Sequence, residues 1–210
     1  MREAILDAAE RVFADEGEAG LSIRRIADEI DYSPAAIYKY FGSKDELVDI
    51  LKEAFFGRIL QSVHNIVDKS EPFPVRARHC LAGYVCKALE KPHHYAAAFA
   101  GESITDRSPE KLAEMADSNR VKAFAVLTGI VTEGIETGHF RPDLPPSDTA
   151  KSVWASLHGL AMMFAHFEAF PDLLTMPSGM SRDAFIDFHA DLVIRSLERA
   201  PGRADTPGRG

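Results

Sequence analysis

From Arg2 to Glu16 the apolar residues fall at Ile5, Leu6, Ala8, Ala9, Val12 and Phe13, the repeat of an amphipathic helix, and Gly17 is placed to end it. Ser22 follows as an N-cap, after which Ile23, Ile26, Ala27 and Ile30 continue at helical spacing. Asp31 and Tyr32 make a turn. Ser33 caps a third helix with Pro34 at its first position, where the missing N–H costs nothing. In that helix, closed by Gly42, Ile37 and Phe41 point inward and leave Ala35, Ala36, Tyr38, Lys39 and Tyr40 largely outward. Ser43 with Glu46 forms a capping box for a fourth helix, which runs by its pattern to about Val67.

Pro72 and Pro74 then break the pattern, a helix follows to about Glu90, and Pro92 restarts another that carries Tyr95 and Phe99. Ser108 and Pro109 supply the cap and first position of a long helix through Phe124, Leu127, Ile130, Val131 and Ile135 to Gly138. A loop holding Pro142, Pro145 and Pro146 ends at Ser147, where a helix with an unusually apolar surface begins and runs through Val153, Trp154, Leu157, Leu160, Ala161, Phe164 and Phe167. Ser181 caps a last helix with Phe185, Phe188, Leu192, Val193, Ile194 and Leu197, and the tail from Pro201 is expected to be disordered. No strand alternation or internal repeat occurs, so the expected fold is all-α with about nine helices. The expected divisions are 1–46, a three-helix helix-turn-helix domain; 47–200, a larger helical domain; and 201–210, the tail.

Composition narrows the chemistry. Cys80 and Cys86 stand six apart with no ligand-like neighbours, so both read as free thiols in a reducing compartment. His158 and His166 are too far apart in sequence to share an ion, and no third ligand is evident, so no metal is expected. His93 and His94 diverge on a helix and read as surface. No run of 18 apolar residues occurs, and a cytoplasmic protein without membrane association is expected. No GxSxG, HExxH, P-loop or GxGxxG pattern is present, which speaks against an enzyme and against a bound cofactor.

A net charge of −8 argues against broad affinity for nucleic acid, and residues 1–52 hold seven basic side chains against twelve acidic. Within Ser22–Lys44 the balance turns to four basic against three acidic, so a DNA footprint would be local. The two short helices there have the shape that places one helix in the major groove. Ala35 and Ala36 are small enough to approach base edges, and Lys39 can reach a guanine edge or a phosphate. Tyr38, Tyr40, Ser22 and Lys44 are candidate phosphate ligands.

The segments ILDAAERVFADEG, SIRRIADEI and YSPAAIYKYFGSKDEL are similar, almost position by position, to the N-terminal signature of the tetracycline-repressor (TetR) family of bacterial regulators, over roughly residues 5 to 51. The resemblance implies a dimeric, all-helical repressor whose variable C-terminal domain binds a small molecule. By position it carries Arg24, Pro34, Ala35, Ala36 and Lys39 onto family sites near bases, and Ser22, Ser33, Tyr38, Tyr40 and Lys44 onto sites near phosphate. The family usually has glycine where this chain has Asp31, a residue that tolerates left-handed turns but brings a negative charge toward DNA.

In the C-terminal half, Trp154, His158 and Gly159 within VWASLHGLAMM resemble the Trp-His-Gly motif of one TetR subgroup. The functional reading is a pocket lined by Phe99, Phe124, Trp154, Met162 and Met163, with His158 or Arg120 as a polar hook. The alternative makes the same residues core and dimer interface. The two apolar late helices are expected to pair with their symmetry mates in a four-helix bundle, giving a homodimer on a palindromic double-stranded operator. The expected function is a transcriptional repressor released by a small hydrophobic or aromatic effector. A regulator of the same fold without an effector is the second reading.

Overall fold

The computed structural model of the protein describes residues 1–66, 70–99, 113, 115–169 and 179–199. Within them the chain forms nine helices: α1 (Arg2–Gly20), α2 (Ile23–Glu29), α3 (Pro34–Ile37), α4 (Lys44–Ile66), α5 (Phe73–Glu90), α6 (Pro92–Phe99), α7 (Asn119–Glu136), α8 (Pro146–Ala169) and α9 (Arg182–Leu197). Extended pairing among the described residues is limited to an isolated bridge between Phe140 and Glu198.

Side-chain caps set the N-terminal boundaries. The Ser22 hydroxyl accepts from the Arg25 N–H at 3.1 Å, and that of Ser33 from the Ala36 N–H at 3.3 Å. Ser43 accepts from the Glu46 N–H at 3.1 Å, while the Glu46 carboxylate reaches back to the Gly42 N–H at 2.7 Å, closing the box one residue earlier than Ser43 itself. Gly17, at φ +68°, breaks α1 as expected, and a last helical turn follows to Gly20. Asp31 takes the turn at φ +57°, in the left-handed region that its short polar side chain tolerates.

Three expectations are corrected. Regular α-helix in the third element ends at Ile37, because the Tyr40 N–H turns to the Ile37 carbonyl at 2.9 Å and tightens the remainder into a turn up to the buried Phe41. The long helix divides at Ser118, whose hydroxyl accepts from the Val121 N–H at 3.3 Å and starts α7 afresh. An apolar repeat alone does not reveal a cap inside it, and the expected start at Ser108 and Pro109 lies outside the described residues. His94 is not on the surface: it is 1% exposed, edge-on to Phe13 with ring centroids 5.0 Å apart. Val67, the tail from Pro201 and the side chains of His93, His166 and Phe167 lie outside the described residues.

The buried apolar side chains form two cores. The first joins Ile5, Ala9 and Phe13 of α1, Ile26 of α2, Ile37 and Phe41; the second joins α5, α6, α7, α8 and α9. Helix α4 belongs to both, through Leu47, Val48 and Leu51 in the first and Phe55, Phe56, Ile59 and Val63 in the second. A second tie packs α1 on α6. There the Glu10 carboxylate receives Lys91 and, at 3.1 Å, Arg58. Burial pushes the Glu10 carboxyl up, but the Lys91 hydrogen bond and the charges of Arg58 and Lys91 outweigh it and hold the group below its ordinary range.

The left-handed turn yields a direct expectation. A β-branched side chain at φ +57° clashes with its own backbone, so Asp31→Val should be less stable than Asp31→Gly by about 1–2 kcal/mol in denaturant unfolding. Equal stability of the two variants would show the turn to be unstrained.

Candidate functional site

Two features stand apart from ordinary packing: an exposed face on α2 and α3, and a cavity in the second core. On the face, Ser22, Arg24, Ser33, Pro34, Ala35, Tyr38, Lys39 and Tyr40 are exposed and Ala36 is half-buried. Tyr38 is 56% exposed and Tyr40 45%, which leaves two large amphipathic rings in water above the buried Ile37 and Phe41. Arg25 differs from its neighbour Arg24 because its guanidinium is engaged by Glu16 at 3.2 Å and Glu29 at 3.6 Å. Lys44 is half-buried and donates to the Glu18 carbonyl at 3.0 Å, tying the start of α4 to the end of α1. An ammonium carries three N–H bonds, so this tie leaves donors for a further acceptor. The face thus groups hydroxyls, cations and small side chains around two helix N-termini, a pattern suited to phosphate and base edges.

The cavity has a volume of about 450 Å³ and lies between α4, α5, α7 and α8, with Phe99 of α6 on its wall. Phe56, Ile59 and Val63 form its α4 side; Leu81 and Tyr84 stand on α5 and Phe124 and Leu127 on α7. Of the residues expected from sequence, Phe99, Arg120, Phe124 and Trp154 line it. His158 and Met162 do not. His158 sits behind Trp154, stacked on its ring at 4.9 Å, and Met162 and Met163 pack against the core. Cys80 on the wall is a free thiol pushed up to about 11 by burial, and Cys86 is a free exposed one.

A chain of polar groups runs inward from the wall residues Trp154 and Tyr84. The Trp154 indole N–H donates to the Tyr84 hydroxyl at 3.1 Å, the Tyr84 and Tyr95 hydroxyls meet at 3.0 Å, and the Tyr95 hydroxyl meets His158 Nδ1 at 2.6 Å. Burial raises the Tyr84 and Tyr95 phenols and lowers His158, so all three are neutral near pH 7. Sequence reasoning places Tyr95 on its helix without a role and does not single out Tyr84. Trp154 and Tyr84 are 70 residues apart, so no local spacing pairs them. Among the described residues no group of three or more potential ligands is placed to hold a metal.

Comparison with known proteins covers both halves of the chain. Residues 5–51 match the family described as bacterial regulatory proteins, tetR family, and residues 77–191 match a Tetracyclin repressor-like C-terminal domain, a broader description than the Trp-His-Gly grouping. The transcriptional repressor KstR2 of Mycobacterium tuberculosis is 29% identical over 143 residues, covering 68% of this chain and 70% of that protein. A structure of a protein with unknown function from Rhodococcus sp. RHA1 superposes with a TM-score of 0.75 at 25% identity, over 94% of this chain and 95% of that one. The transcriptional regulator FadR of Bacillus subtilis, solved in complex with stearoyl-CoA, superposes with a TM-score of 0.67 at 17% identity, over 94% and 100% of the two chains.

The exposed face generates a test. Tyr38→Phe should weaken DNA binding by about 1 kcal/mol on every sequence alike, as loss of one hydroxyl contact to phosphate does. Lys44→Ala should also weaken it uniformly and lower the slope of log K against log salt by about 0.9. Unchanged affinity in both variants would remove these residues from the phosphate contacts.

Proposed function

The chain belongs to the tetracycline-repressor (TetR) family and is by that membership a DNA-binding transcriptional repressor; from this we propose a homodimer that occupies a palindromic operator and leaves it when a small apolar effector enters the cavity. The observation that carries the reading is α4. Its Phe56, Ile59 and Val63 line the cavity, while its Leu47, Val48 and Leu51 are embedded in the core beneath the exposed face. A guest that displaces the first set tilts the second. Two recognition helices must stay about 34 Å apart to meet successive major-groove faces, so a small tilt costs both half-sites. The effector moves this equilibrium only by the difference in its affinity for the two arrangements.

On this reading residues 1–46 are the DNA reader, 47–200 bind effector and partner, and 201–210 form a tail. Ser22, Ser33, Tyr38, Tyr40 and Lys44 meet phosphate, and Arg24, Pro34, Ala35, Ala36 and Lys39 lie at the bases. Phe99, Arg120, Phe124 and Trp154 touch the effector directly, and His158 acts on it through Trp154. The protein works in the cytoplasm, by binding alone, and catalyses nothing; among the described residues no helix is long and apolar enough to cross a membrane. The stearoyl-CoA held by the FadR neighbour is consistent with an apolar guest. The alternative of a regulator without an effector calls for a filled C-terminal core, and a cavity of about 450 Å³ speaks against it.

The dimer is assigned to α8 and α9. Phe188 and Leu192 stand one turn apart on α9, 51% and 55% exposed, and a side chain added at the exposed Gly159 of α8 would meet nothing within 4 Å. Exposed large apolar groups on one helix, beside an open glycine on the next, mark a surface that another chain covers. Leu192→Glu should therefore halve the mass in sedimentation and reduce affinity for a palindrome at least tenfold, with half-site binding retained; an unaltered dimer would move the interface elsewhere. For the function itself, an operator selected from genomic DNA would be titrated by fluorescence anisotropy with and without apolar compounds that perturb Trp154 emission. Compounds that bind should weaken the DNA complex, and binding without any change in DNA affinity would overturn the effector reading.

A further inference from the structure

We propose that Tyr84 is the polar docking point of the cavity for the carbonyl oxygen of an apolar ligand, and that this oxygen reverses the hydrogen-bonded chain Tyr84–Tyr95–His158, carrying the event to α6. The inference rests on the cavity being the effector site. Its substance is a count of hydrogens. The Trp154 N–H can only donate, so the Tyr84 oxygen always accepts from it. The links Tyr84–Tyr95 and Tyr95–His158 each need one hydrogen, and three are candidates: the two phenolic hydrogens and one on His158 Nδ1.

With the imidazole proton on Nε2, Tyr84 donates to Tyr95 and Tyr95 donates to Nδ1. Both hydroxyl hydrogens are then engaged, and the cavity sees no donor from Tyr84. With the proton on Nδ1, His158 donates to Tyr95, Tyr95 donates to Tyr84, and the Tyr84 hydrogen is left to face the cavity. The total number of protons is the same in both, and burial keeps the phenols protonated and the imidazole neutral. In an empty apolar cavity a stranded donor costs about 1–3 kcal/mol, so the first arrangement prevails there. An arriving carbonyl oxygen takes up the hydrogen and reverses the balance.

Among the described residues the cavity wall offers no neutral donor of comparable strength, since the Cys80 thiol is a weak one. Tyr84 carries the single hydroxyl among its lining residues, the Trp154 N–H is already committed, and the cations Arg120 and Lys151 belong to a different kind of contact. Lys151 lies at the solvent side, its side chain 63% exposed and bonded to Asp148 at 2.9 Å. The far end of the chain sits where a signal is useful. Tyr95 is 0% exposed on α6, in ring contact with Phe55 of α4 at 5.9 Å, and its neighbour His94 meets Phe13 of α1. Tyr84 is on this account the ligand-contacting residue, and Tyr95 and His158 are positioning residues.

Trp154 is the sole tryptophan of the chain, so its emission reports the site directly. The bicyclic ketone 2-decalone and the corresponding hydrocarbon decalin would be titrated against the full-length protein and two variants. Tyr84→Phe should weaken 2-decalone about tenfold and leave decalin within about twofold, because the comparison between variants cancels the hydration difference between probes. Tyr95→Phe removes the acceptor that competes for the Tyr84 hydrogen. It should bind 2-decalone as tightly as wild type or more tightly, while 2-decalone no longer weakens its operator complex. A residue with a merely structural role would lower affinity for both probes instead. If both probes bind wild type and Tyr84→Phe weakens them equally, Tyr84 is not the docking point, although the cavity remains the effector site. If Tyr95→Phe loses ketone and hydrocarbon together, the reversal is wrong. If neither probe binds wild type, this inference and the effector reading beneath it both fall.

Discussion

Helix α4 is a single rod that two cores must share. Its 23 residues span about 35 Å at 1.5 Å per residue, and an uninterrupted helix does not bend sharply without proline, a π-bulge or an inserted group. Leu47, Val48 and Leu51 fix its first turns among the N-terminal helices, and Phe55, Phe56, Ile59 and Val63 fix its later turns against α5, α6 and α7. Neither core can shift against the other without changing the packing of this rod. The contact of α1 with α6, through Glu10 with Arg58 and Lys91 and through Phe13 with His94, adds a second path between the same two bodies. A protein that reads DNA at one end and a small molecule at the other needs such coupling, and packing supplies it here.

The net negative charge is compatible with DNA binding once placement is considered. Glu16 and Glu29 hold Arg25, and Glu10 holds Lys91 and Arg58. Part of the acidity near the N-terminal helices is therefore engaged in internal ties. Arg24, Lys39 and two tyrosine hydroxyls remain on the exposed face, and in the proposed homodimer the second copy of this small face supplies the rest of the affinity. Two half-sites read together bind far more tightly than either alone, because the second engagement is intramolecular.

The second core combines an apolar cavity with a buried polar chain, and under the proposed effector reading the combination is what makes the site selective. Apolar walls hold any guest of suitable size, whereas a hydroxyl behind which every hydrogen is accounted for distinguishes one oxygen chemistry from another. His158 illustrates why: removed from the wall and stacked behind Trp154, it is hydrogen-bonded to Tyr95, which in turn meets the wall residue Tyr84.

Local chemistry makes much of the fold legible in the order of residues alone. Ser22, Ser33, Ser43 and Ser181 act on the backbone three residues on, and Gly17 and Asp31 mark positive φ, so caps, breaks and the exposed face of α3 follow from short-range rules. The family signature over residues 5–51 is dense in the same local features, which is why the function class is legible with it. The cavity, the burial of His94 and the link from Trp154 through Tyr84 and Tyr95 to His158 are not. They depend on side chains brought together from α1 and from α4 to α8, and helical periodicity says which face of a helix is apolar but not which helix will cover it or where coverage will leave a void. The sequence by itself determined the helices and the reader they build; tertiary packing alone decided which polar groups share the buried wall of the cavity, because hydrogen bonds between distant helices are set by how those helices cross.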